Sequence, residues 1–369
     1  MTDAPPLTES ADDAPSDQPL LRVEDLRVTF DSPRGKVRAI NGVDFTLEQG
    51  KTLAIVGESG SGKSVTARTI MNLLPSTATI EGSIGFDDLD LRNVSKARAK
   101  HLMGVDIAMV FQDPMTSLNP VKRIGAQLTE SMRYHLGMSR GDATARAIEL
   151  LGKVGIPSPA QRIRQYPHEL SGGMRQRVVI AIALACEPRL LIADEPTTAL
   201  DVTVQKHILD LLGDLQAEEG MSMILITHDL GVAAGRADEI AVMYAGRIVE
   251  RTSATQLFAE SRHPYTDALL RSIPQVSQPS HTRLTPIPGR PPDLVSLPDA
   301  CAYAPRCRFA QAECLESVPP VQGVAGMHEF ACFFPANTDR GREALASNVA
   351  AGTTAAGLEI EGYVSGGVS

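Results

Sequence analysis

The chain has 369 residues, of which 43% are hydrophobic and 21% are charged. This composition is that of a globular protein with room for one large domain or two ordinary ones. The formal net charge of −9 argues against a protein dedicated to binding nucleic acid. The longest apolar run, Val178–Cys186, is much shorter than the roughly 20 residues that a membrane-spanning helix needs.

The N-terminal segment, residues 1–19, is acidic and rich in Pro and Ser, without the basic start or apolar core of a signal peptide. We interpret it as a disordered leader on a cytoplasmic protein. Apolar and polar residues then alternate over Leu21–Phe30 and Gly42–Leu47, which predicts antiparallel strands with one exposed face. Phe30, at the end of the first strand, has two interpretations: a ring that stacks on adenine, or an edge residue of this small sheet.

The stretch Gly57–Ser64 reads G-x-x-x-x-G-K-S, the phosphate-binding loop. An apolar run that suits a buried strand, Thr52–Val56, precedes it, and Val65–Met71 suits a helix. This setting disfavours an ordinary Gly/Ser-rich turn, since glycines before a helix let backbone N–H groups surround phosphate oxygens. Lys63 is expected to reach the β- and γ-phosphates, and Ser64 to bind Mg²⁺. The candidate nucleotide-binding residues of this loop are Gly57, Ser59, Gly60, Ser61, Gly62, Lys63, Ser64 and Val65.

A second buried strand, Asp106–Phe111, ends in Gln112. Since ligands bind at the carboxyl ends of the strands in an open α/β sheet, we expect Gln112 at the phosphate edge. After a loop with two prolines, apolar residues recur at helical spacing over Ile124–Val154 and 160–166. These segments predict a helical subdomain, about residues 113–186, inserted in an α/β domain.

A second candidate anion site lies about a hundred residues after the first, at Leu170–Met174. Ser171 is a good N-cap, and Gly172 and Gly173 let an anion approach the exposed N–H groups of the following helix. Taken alone, this pattern is a weak signal that ordinary helix capping also explains. Its position among the other motifs favours phosphate binding.

Two further apolar strands deliver chemically active groups to the same edge. Leu190–Glu195 ends in paired carboxylates, of which Asp194 is expected to hold Mg²⁺ and Glu195 to orient and deprotonate an attacking water. Paired carboxylates can also cap helices, but an apolar strand running directly into them disfavours that. Met223–Thr227 ends in His228, for which a catalytic role is favoured over a structural one.

These stretches together resemble the ATP-binding subunit of an ABC transporter. In the family's order they are Walker A (Gly57–Ser64), the Q-loop (Gln112), the signature (Leu170–Met174), Walker B (Leu190–Glu195), the D-loop (Ala199–Asp201) and the switch (His228). The resemblance covers about residues 20–250. It implies an α/β P-loop NTPase fold over residues 20–262, with a RecA-like core, an antiparallel β subdomain and the helical subdomain. It also implies ATP and Mg²⁺ as cofactors.

The resemblance further implies a head-to-tail dimer, in which ATP lies between Walker A of one subunit and the signature of the other. Ser171, Gly172 and Gly173 would then contact ATP held mainly by the partner. Glu195 would act as general base, with Gln112 and His228 sensing the γ-phosphate. The implied Mg²⁺ ligands are Ser64, Gln112 and Asp194. No motif departs from a hydrolysis-competent pattern, so an ATPase is expected.

The segments Phe111–Pro120, Tyr166–Leu170 and His263–Leu270, with Ile287–Gly289, resemble the oligopeptide/dipeptide importer branch. This resemblance implies a second, different ATPase subunit, an extracytoplasmic solute-binding protein and two permeases whose coupling helices contact the segment after Gln112. It places the chain peripherally on the cytoplasmic face of the cell membrane, with no nucleic acid bound. The solute stays open among dipeptides, oligopeptides, nickel chelates and glutathione.

Four cysteines, Cys301, Cys307, Cys314 and Cys332, lie in a Pro-rich region with little periodicity, residues 263–336. Their spacing lacks the C-x2-C pairs of typical zinc ribbons, and a cytoplasmic protein is not expected to hold two structural disulfides. This cysteine pattern resembles that of the importer branch. The resemblance implies a small C-terminal cysteine domain with a [4Fe–4S] cluster; Zn²⁺ and unligated thiols are the alternatives. Cys186 is interpreted as a core residue, and residues 337–369 as a flexible tail.

Two rival functions remain at this point. A soluble ABC ATPase that acts on DNA or the ribosome generally has two such domains or a long coiled coil, whereas this chain has room for one domain and shows no heptads. A non-hydrolytic regulatory subunit is disfavoured by the intact Glu195 and His228. We therefore expect a subunit that couples ATP binding and hydrolysis to peptide uptake.

Overall fold

The computed structural model describes residues 18–198, 201–273, 286–324 and 327–360. Its strands are β1 (Leu21–Ser32), β2 (Gly35–Leu47), β3 (Thr52–Val56), β4 (Ala78–Phe86), β5 (Leu89–Asp90), β6 (Ile107–Val110), β7 (Leu190–Asp194), β8 (Ser222–Thr227), β9 (Glu239–Tyr244), β10 (Arg247–Ser253), β11 (Val321–Val324) and β12 (His328–Ala331). Its helices are α1 (Lys63–Ile70), α2 (Lys96–Leu102), α3 (Pro114–Ser117), α4 (Ile124–His135), α5 (Arg140–Lys153), α6 (Pro159–Arg162), α7 (Gly172–Ala183), α8 (Val202–Glu219), α9 (Leu230–Ala233), α10 (Ala254–Ala259), α11 (Pro264–Arg271), α12 (Glu313–Glu316) and α13 (Asp339–Ala351). Of the predicted segments, residues 1–17 of the leader and Ala199 and Leu200 of the D-loop lie outside the described residues.

Four strands form an antiparallel sheet in the order β2-β1-β4-β5. Strand β1 pairs with β2 on one side, where Phe30 lies opposite Val37, and with β4 on the other. Alternate residues of β1 are buried in a core that includes Val28, Phe45 and Ile84. The antiparallel β subdomain that the alternating pattern predicts is thereby confirmed.

A second sheet has eight strands in the order β11-β12-β10-β9-β3-β8-β7-β6. Strand β3 runs parallel to β8 and β9, and β7 and β6 continue in the same direction. Every residue of β3, β6, β7 and β8 is buried, as expected for parallel strands covered on both faces. Because these four strands are parallel, the segments that follow them emerge at one edge of the sheet.

Helices α4, α5 and α7 pack together and form the helical subdomain. Their apolar residues share one core, for example Leu128, Leu151 and Ile180, which also reaches the parallel sheet through Val110 and Leu225. Ser139 caps α5 by accepting from the Asp142 N–H at 3.2 Å, and Ser171 caps α7 in the same way. None of the helices in the described ranges is long and apolar enough to cross a membrane.

The C-terminal cysteine region extends the large sheet. Strand β12 pairs antiparallel with β10, and β11 pairs with β12. The region also shares a core with the ATP-site strands, because Tyr303 and Ala310 pack in the same cluster as Val56 and Tyr244. Sequence patterns did not predict this continuity, since β11 and β12 are four residues each and their partner strand lies far away in the chain.

The prediction of a flexible tail from residue 337 is wrong for the part of the tail that the structure describes. Helix α13 begins after Thr338, whose side chain accepts from the Gly341 N–H at 3.1 Å. Asn348 is 4% exposed and donates to the backbone oxygens of Arg308 and Ala310. The Ala-rich composition suggested mobility, but alanine favours helices, and the buried amide fixes this helix on the cysteine region.

Candidate nucleotide-binding site

The predicted phosphate-binding loop connects buried β3 to helix α1. Gly60 and Gly62 have φ values of 81° and 111°, where a side chain would be strained. A Cβ on Gly57 would lie 2.2 Å from the Met243 backbone oxygen, and one on Gly62 would lie 2.7 Å from the Ala39 oxygen. Glycine is therefore required at these positions because of backbone conformation and close approach.

Lys63 lies inside the loop. Its side-chain Nζ donates to the backbone oxygens of Gly57 and Glu58 at 2.7 and 2.9 Å, and the residue is 4% exposed. Burial lowers the pKa of Lys63, while the nearby carboxylates of Glu195 and Asp194 oppose that shift. A buried ammonium of this kind favours an anionic ligand, which would replace the hydration that the side chain has lost.

Ser64, at the start of α1, meets Asp194 at the end of β7. The Ser64 hydroxyl donates to Asp194 Oδ1 at 2.9 Å. Asp194 is 2% exposed, and burial raises its pKa, opposed by the Ser64 hydrogen bond. A hydroxyl and a carboxylate are the oxygen ligands that Mg²⁺ prefers beside nucleotide phosphates, so this pair fits the cation by its chemistry.

Three predicted residues come together just beyond these strands. Glu195 Oε2 accepts from Gln112 Nε2 at 3.0 Å, and Glu195 Oε1 lies 3.5 Å from His228 Nδ1. The Thr198 hydroxyl also donates to Glu195 Oε2 at 3.0 Å, a contact that sequence reasoning missed. Glu195 adopts φ 44°, an uncommon conformation for a residue other than glycine, which turns the chain immediately after the strand.

One cavity of about 760 Å³ joins these groups, a volume suited to a nucleotide. Its lining residues come from the loop, the strand ends, β2 and the C-terminal region; they are Ala39, Glu58, Ser59, Gly60, Gly62, Lys63, Ser64, Val65, Gln112, Glu195, His228, Pro291 and Leu294. Gly57 and Ser61 shape the loop but do not line the cavity. The carboxyl ends of the parallel strands thus border a single cavity, as the order of the motifs predicts.

The signature residues stand apart from this cavity. Ser171 accepts from the Met174 N–H at 3.3 Å and caps α7. Neither Ser171 nor Gly172 nor Gly173 lines the cavity of the same chain. The second candidate anion site is therefore a separate helix start in this chain.

Phe30 also lies outside the cavity lining. It is partly buried and packs against the core between the two sheets, and its strand neighbours are Val37 and Ala78. Phe30 is therefore an edge residue of the small sheet, while stacking of its ring on adenine stays a prediction.

Comparisons with known proteins agree with this geometry. The family description "ABC transporter" matches residues 40–198, and "Oligopeptide/dipeptide transporter, C-terminal region" matches residues 249–314. The oligopeptide transport ATP-binding protein OppD of Bacillus subtilis is 52% identical over 84% of this chain and 87% of its own length. The chain belongs to the ABC transporter ATP-binding proteins. OppD proteins of Salmonella typhimurium and Escherichia coli are each 48% identical over 89% of the chain, covering 98% and 96% of their own lengths.

Solved structures support the same fold for the ABC ATPase part. A dimeric structure of the ATP-binding cassette MJ0796, in a post-hydrolysis state with ADP and Pi, has a TM-score of 0.57 and 27% identity, covering 63% of this chain and 98% of that one. The cbiO1 subunit from Clostridium perfringens has a TM-score of 0.56 and 29% identity, covering 66% and 92%. The chain is accordingly an ABC ATPase that binds and hydrolyses ATP, with the predicted P-loop NTPase fold.

The C-terminal region of this ABC ATPase contacts the phosphate-binding loop directly. Arg306 forms a two-pronged ion pair with Glu58, with Nη1–Oε2 and Nη2–Oε1 distances of 2.6 and 3.0 Å. The Tyr265 hydroxyl accepts from the Glu58 N–H at 2.9 Å. Burial alone would lower the pKa of Arg306, but its hydrogen bonds to Glu58 and Tyr244 raise it. Glu58 occupies a variable position of the motif, so no sequence signal pointed to these contacts.

The four late cysteines line one small cavity, together with His263, Phe309 and Phe334 among others. They form no disulfides. Burial raises the pKa of each thiol, that of Cys301 to about 11. Across the described ranges, no group of three or more His, Cys, Asp or Glu is arranged to hold a metal ion. The four cysteines that the sequence analysis grouped therefore line one cavity. Their ligation of an iron–sulfur cluster or of zinc stays a prediction.

Proposed function

We propose that this ABC ATPase is the energy-coupling subunit of a membrane importer for dipeptides and oligopeptides. The observation that carries the proposal is the convergence of Gln112, Glu195 and His228 on the cavity of Lys63 and Ser64. That geometry suits hydrolysis of a bound nucleoside triphosphate. The peptide assignment rests on the relatives, which carry the name oligopeptide transport ATP-binding protein over most of this chain.

ATP binds through the backbone N–H groups of the loop from Gly57 to Val65 and the N-terminus of α1, which favour phosphate oxygens. Lys63 exchanges its contacts with the Gly57 and Glu58 oxygens for the β- and γ-phosphates. Ser64, Asp194 and Gln112 would hold Mg²⁺. The cation would supply positive charge that offsets the negative charge of the phosphates.

Glu195 is the general base in this proposal. Hydrogen bonds from Gln112 and Thr198 fix one carboxylate oxygen, which leaves the other to orient and deprotonate a water beside the γ-phosphate. His228, which is 64% exposed in its side chain, contacts the γ-phosphate from the cavity side. Gln112 and His228 therefore report the presence of that phosphate to the segments in which they lie.

A second ABC ATPase subunit completes the site. Ser171 caps α7, and Gly172 and Gly173 begin it; these three residues bind ATP that the partner's phosphate-binding loop holds, in a head-to-tail pair. The branch that this chain resembles pairs two different ATPase subunits, so we propose a heterodimer. Closure of the pair around two ATP molecules is then the step that moves the permeases.

The segment after Gln112 is the proposed contact with the permease coupling helices. It comprises the short helix α3 and the loop that follows, where Val121 is 80% exposed, and Phe111 before it is 38% exposed. Exposed apolar side chains beside the γ-phosphate residue suit a docking surface that responds to ATP. The chain would thus lie peripherally on the cytoplasmic face, below permeases served by an extracytoplasmic solute-binding protein.

We further propose that Cys301, Cys307, Cys314 and Cys332 hold a [4Fe–4S] cluster. Four thiols around one cavity, three of them buried and that of Cys301 partly buried, with no disulfide, fit a cluster that spreads its cysteine ligands over four irons. A single Zn²⁺, which needs its ligands close around one point, is the alternative. The cluster would supply a covalent connection between segments that have little regular structure.

Isolation of the tagged chain from its own membranes tests the importer assignment. We expect two permeases, a second ABC ATPase and a solute-binding protein to be recovered with it, and peptides to be the ligands of that binding protein. Recovery of ribosomal or DNA-repair proteins without membrane partners would contradict the importer. A binding protein that takes nickel chelates or glutathione, and no peptide, would contradict the peptide assignment alone.

A further inference from the structure

The cavity has a wall that the ATP motifs do not supply. Pro291 and Leu294 line it, although they lie more than two hundred residues after the phosphate-binding loop in sequence. Both belong to the segment Arg290–Val295, which we call the base wall. The apolar side chains of Pro291 and Leu294 differ from the polar groups of the phosphate-binding loop that line the same cavity.

Contacts with the β1–β2 hairpin hold the base wall in place. The Arg38 N–H donates to the Leu294 backbone oxygen at 3.0 Å. Arg34 forms an ion pair with Asp293, and Val295 packs against Gly35, where a Cβ would lie 3.2 Å from the Val295 side chain. A hydrogen bond, an ion pair and a packing contact therefore fix the position of the base wall against the hairpin.

A second set of contacts ties the wall to the phosphate-binding loop. Arg306 Nε donates to the Pro288 backbone oxygen at 2.7 Å, just before the base wall begins. The same guanidinium binds the Glu58 carboxylate, and it is 3% exposed. One buried arginine therefore sets the distance between the loop and the segment that faces it.

The residues that line the cavity are of two chemical kinds. Lys63, Ser64 and the loop N–H groups suit a polyphosphate, whereas Pro291 and Leu294 offer apolar surface suited to the face of a flat base. The C-terminal region thus offers apolar surface to this cavity.

We propose that Leu294 and Pro291 bind the nucleoside part of ATP, so that the C-terminal region determines how well the ABC ATPase distinguishes ATP from a bare polyphosphate. Leu294 is the partly buried residue of the pair, and Pro291 is the exposed one. The inference rests on ATP binding by this site and adds a binding residue from outside the ABC motifs.

The test compares ATP with inorganic triphosphate, each with Mg²⁺, as ligands of the purified full-length chain in calorimetric titrations. Leu294→Ala is expected to weaken ATP binding about tenfold, because several buried methyl and methylene contacts are lost. Triphosphate binding should stay within about twofold of the unaltered chain. Leu297→Ala is the matched control, since Leu297 is also a partly buried leucine of this region but does not line the cavity.

Three results would overturn the base wall. ATP affinity of Leu294→Ala equal to that of the unaltered chain would do so. Equal weakening of ATP and triphosphate would show that Leu294 acts through folding. If the unaltered chain bound ATP no more tightly than triphosphate, the base wall would fail, whereas ATP binding and hydrolysis by the site would stand.

Discussion

At the scale of single residues, Glu195 is the most constrained group in the ATP site. Its backbone is in a left-handed conformation, and its carboxylate contacts residues that follow three different strands: Gln112, Thr198 and His228. A carboxylate fixed from several sides loses little freedom when a water molecule binds beside it, which is what a general base requires.

Replacement of Glu195 by Gln should reduce ATP turnover by about a thousandfold while ATP binding persists. An amide keeps the shape of the side chain but cannot accept the proton of the attacking water. Steady-state phosphate release measures the first effect and equilibrium ATP binding the second. Glu187→Gln is a control, since Glu187 is exposed, pairs with Arg146 and does not line the cavity. Turnover of E195Q near the unaltered rate would remove Glu195 from the role of base.

Much of this residue-level chemistry could be predicted from the sequence. Local motifs locate Lys63, Asp194, Glu195 and His228. Each motif adjoins the end of a predicted strand, and the position of that strand end determines where the side chain lies. Thr198, Arg306 and Leu294 could not be found in this way. Each depends on a contact between distant segments; Arg306 and Glu58, for example, are 248 residues apart.

At the scale of elements, a buried aromatic cluster connects the phosphate-binding loop with the cysteine region. Tyr244 at the end of β9 lies with its ring 4.6 Å from that of Tyr265 in α11 and 5.2 Å from that of Tyr303. Tyr303 and His263 in turn line the cysteine cavity. The phosphate-binding loop and the cysteine cavity therefore border one shared core, although the sequence suggests separate domains.

The Arg306–Glu58 pair should contribute to both stability and ATP affinity. Arg306→Ala leaves the Glu58 carboxylate without its partner, so we expect a loss of about 3 kcal/mol in the free energy of unfolding. ATP binding should weaken as well, because Glu58 is part of the phosphate-binding loop. Denaturant unfolding and ATP titration are the measurements.

Arg340→Ala is the matched control for Arg306→Ala. Arg340 pairs with Glu313 at 2.7 Å, but both side chains are exposed, so its loss should cost less than about 1 kcal/mol. Equal effects of the two replacements on unfolding and on ATP binding would show that the Arg306 contact has no special connection with the loop.

The cysteine cavity gives a prediction with a chemical readout. Cys307→Ser should remove most of the iron and acid-labile sulfide from the anaerobically purified chain, because the cluster loses one of its four ligands. Cys186→Ser should leave both unchanged, since Cys186 is a buried cysteine just after α7 and does not line the cysteine cavity. Zinc in place of iron and sulfide in the unaltered chain, or neither, would contradict the cluster.

At the scale of the whole molecule, the C-terminal region is part of the ATPase. It adds β11 and β12 to the sheet, supplies the base wall and holds Glu58 through Arg306. Composition and periodicity indicated a loop-rich appendage and a mobile tail, because short strands and capped helices in Pro- and Ala-rich sequence give weak periodic signals. The structure of this region is determined by its packing against segments that lie far away in the sequence.

Peptide uptake coupled to ATP hydrolysis tests the central claim most directly. The assembled complex, purified with its permeases and binding protein and placed in lipid vesicles, should accumulate labelled peptide only with ATP and should hydrolyse ATP faster when the peptide-loaded binding protein is present. The same complex with E195Q should do neither. Peptide accumulation that continues with E195Q in every ATPase subunit, or ATP hydrolysis indifferent to peptide and binding protein, would contradict the account.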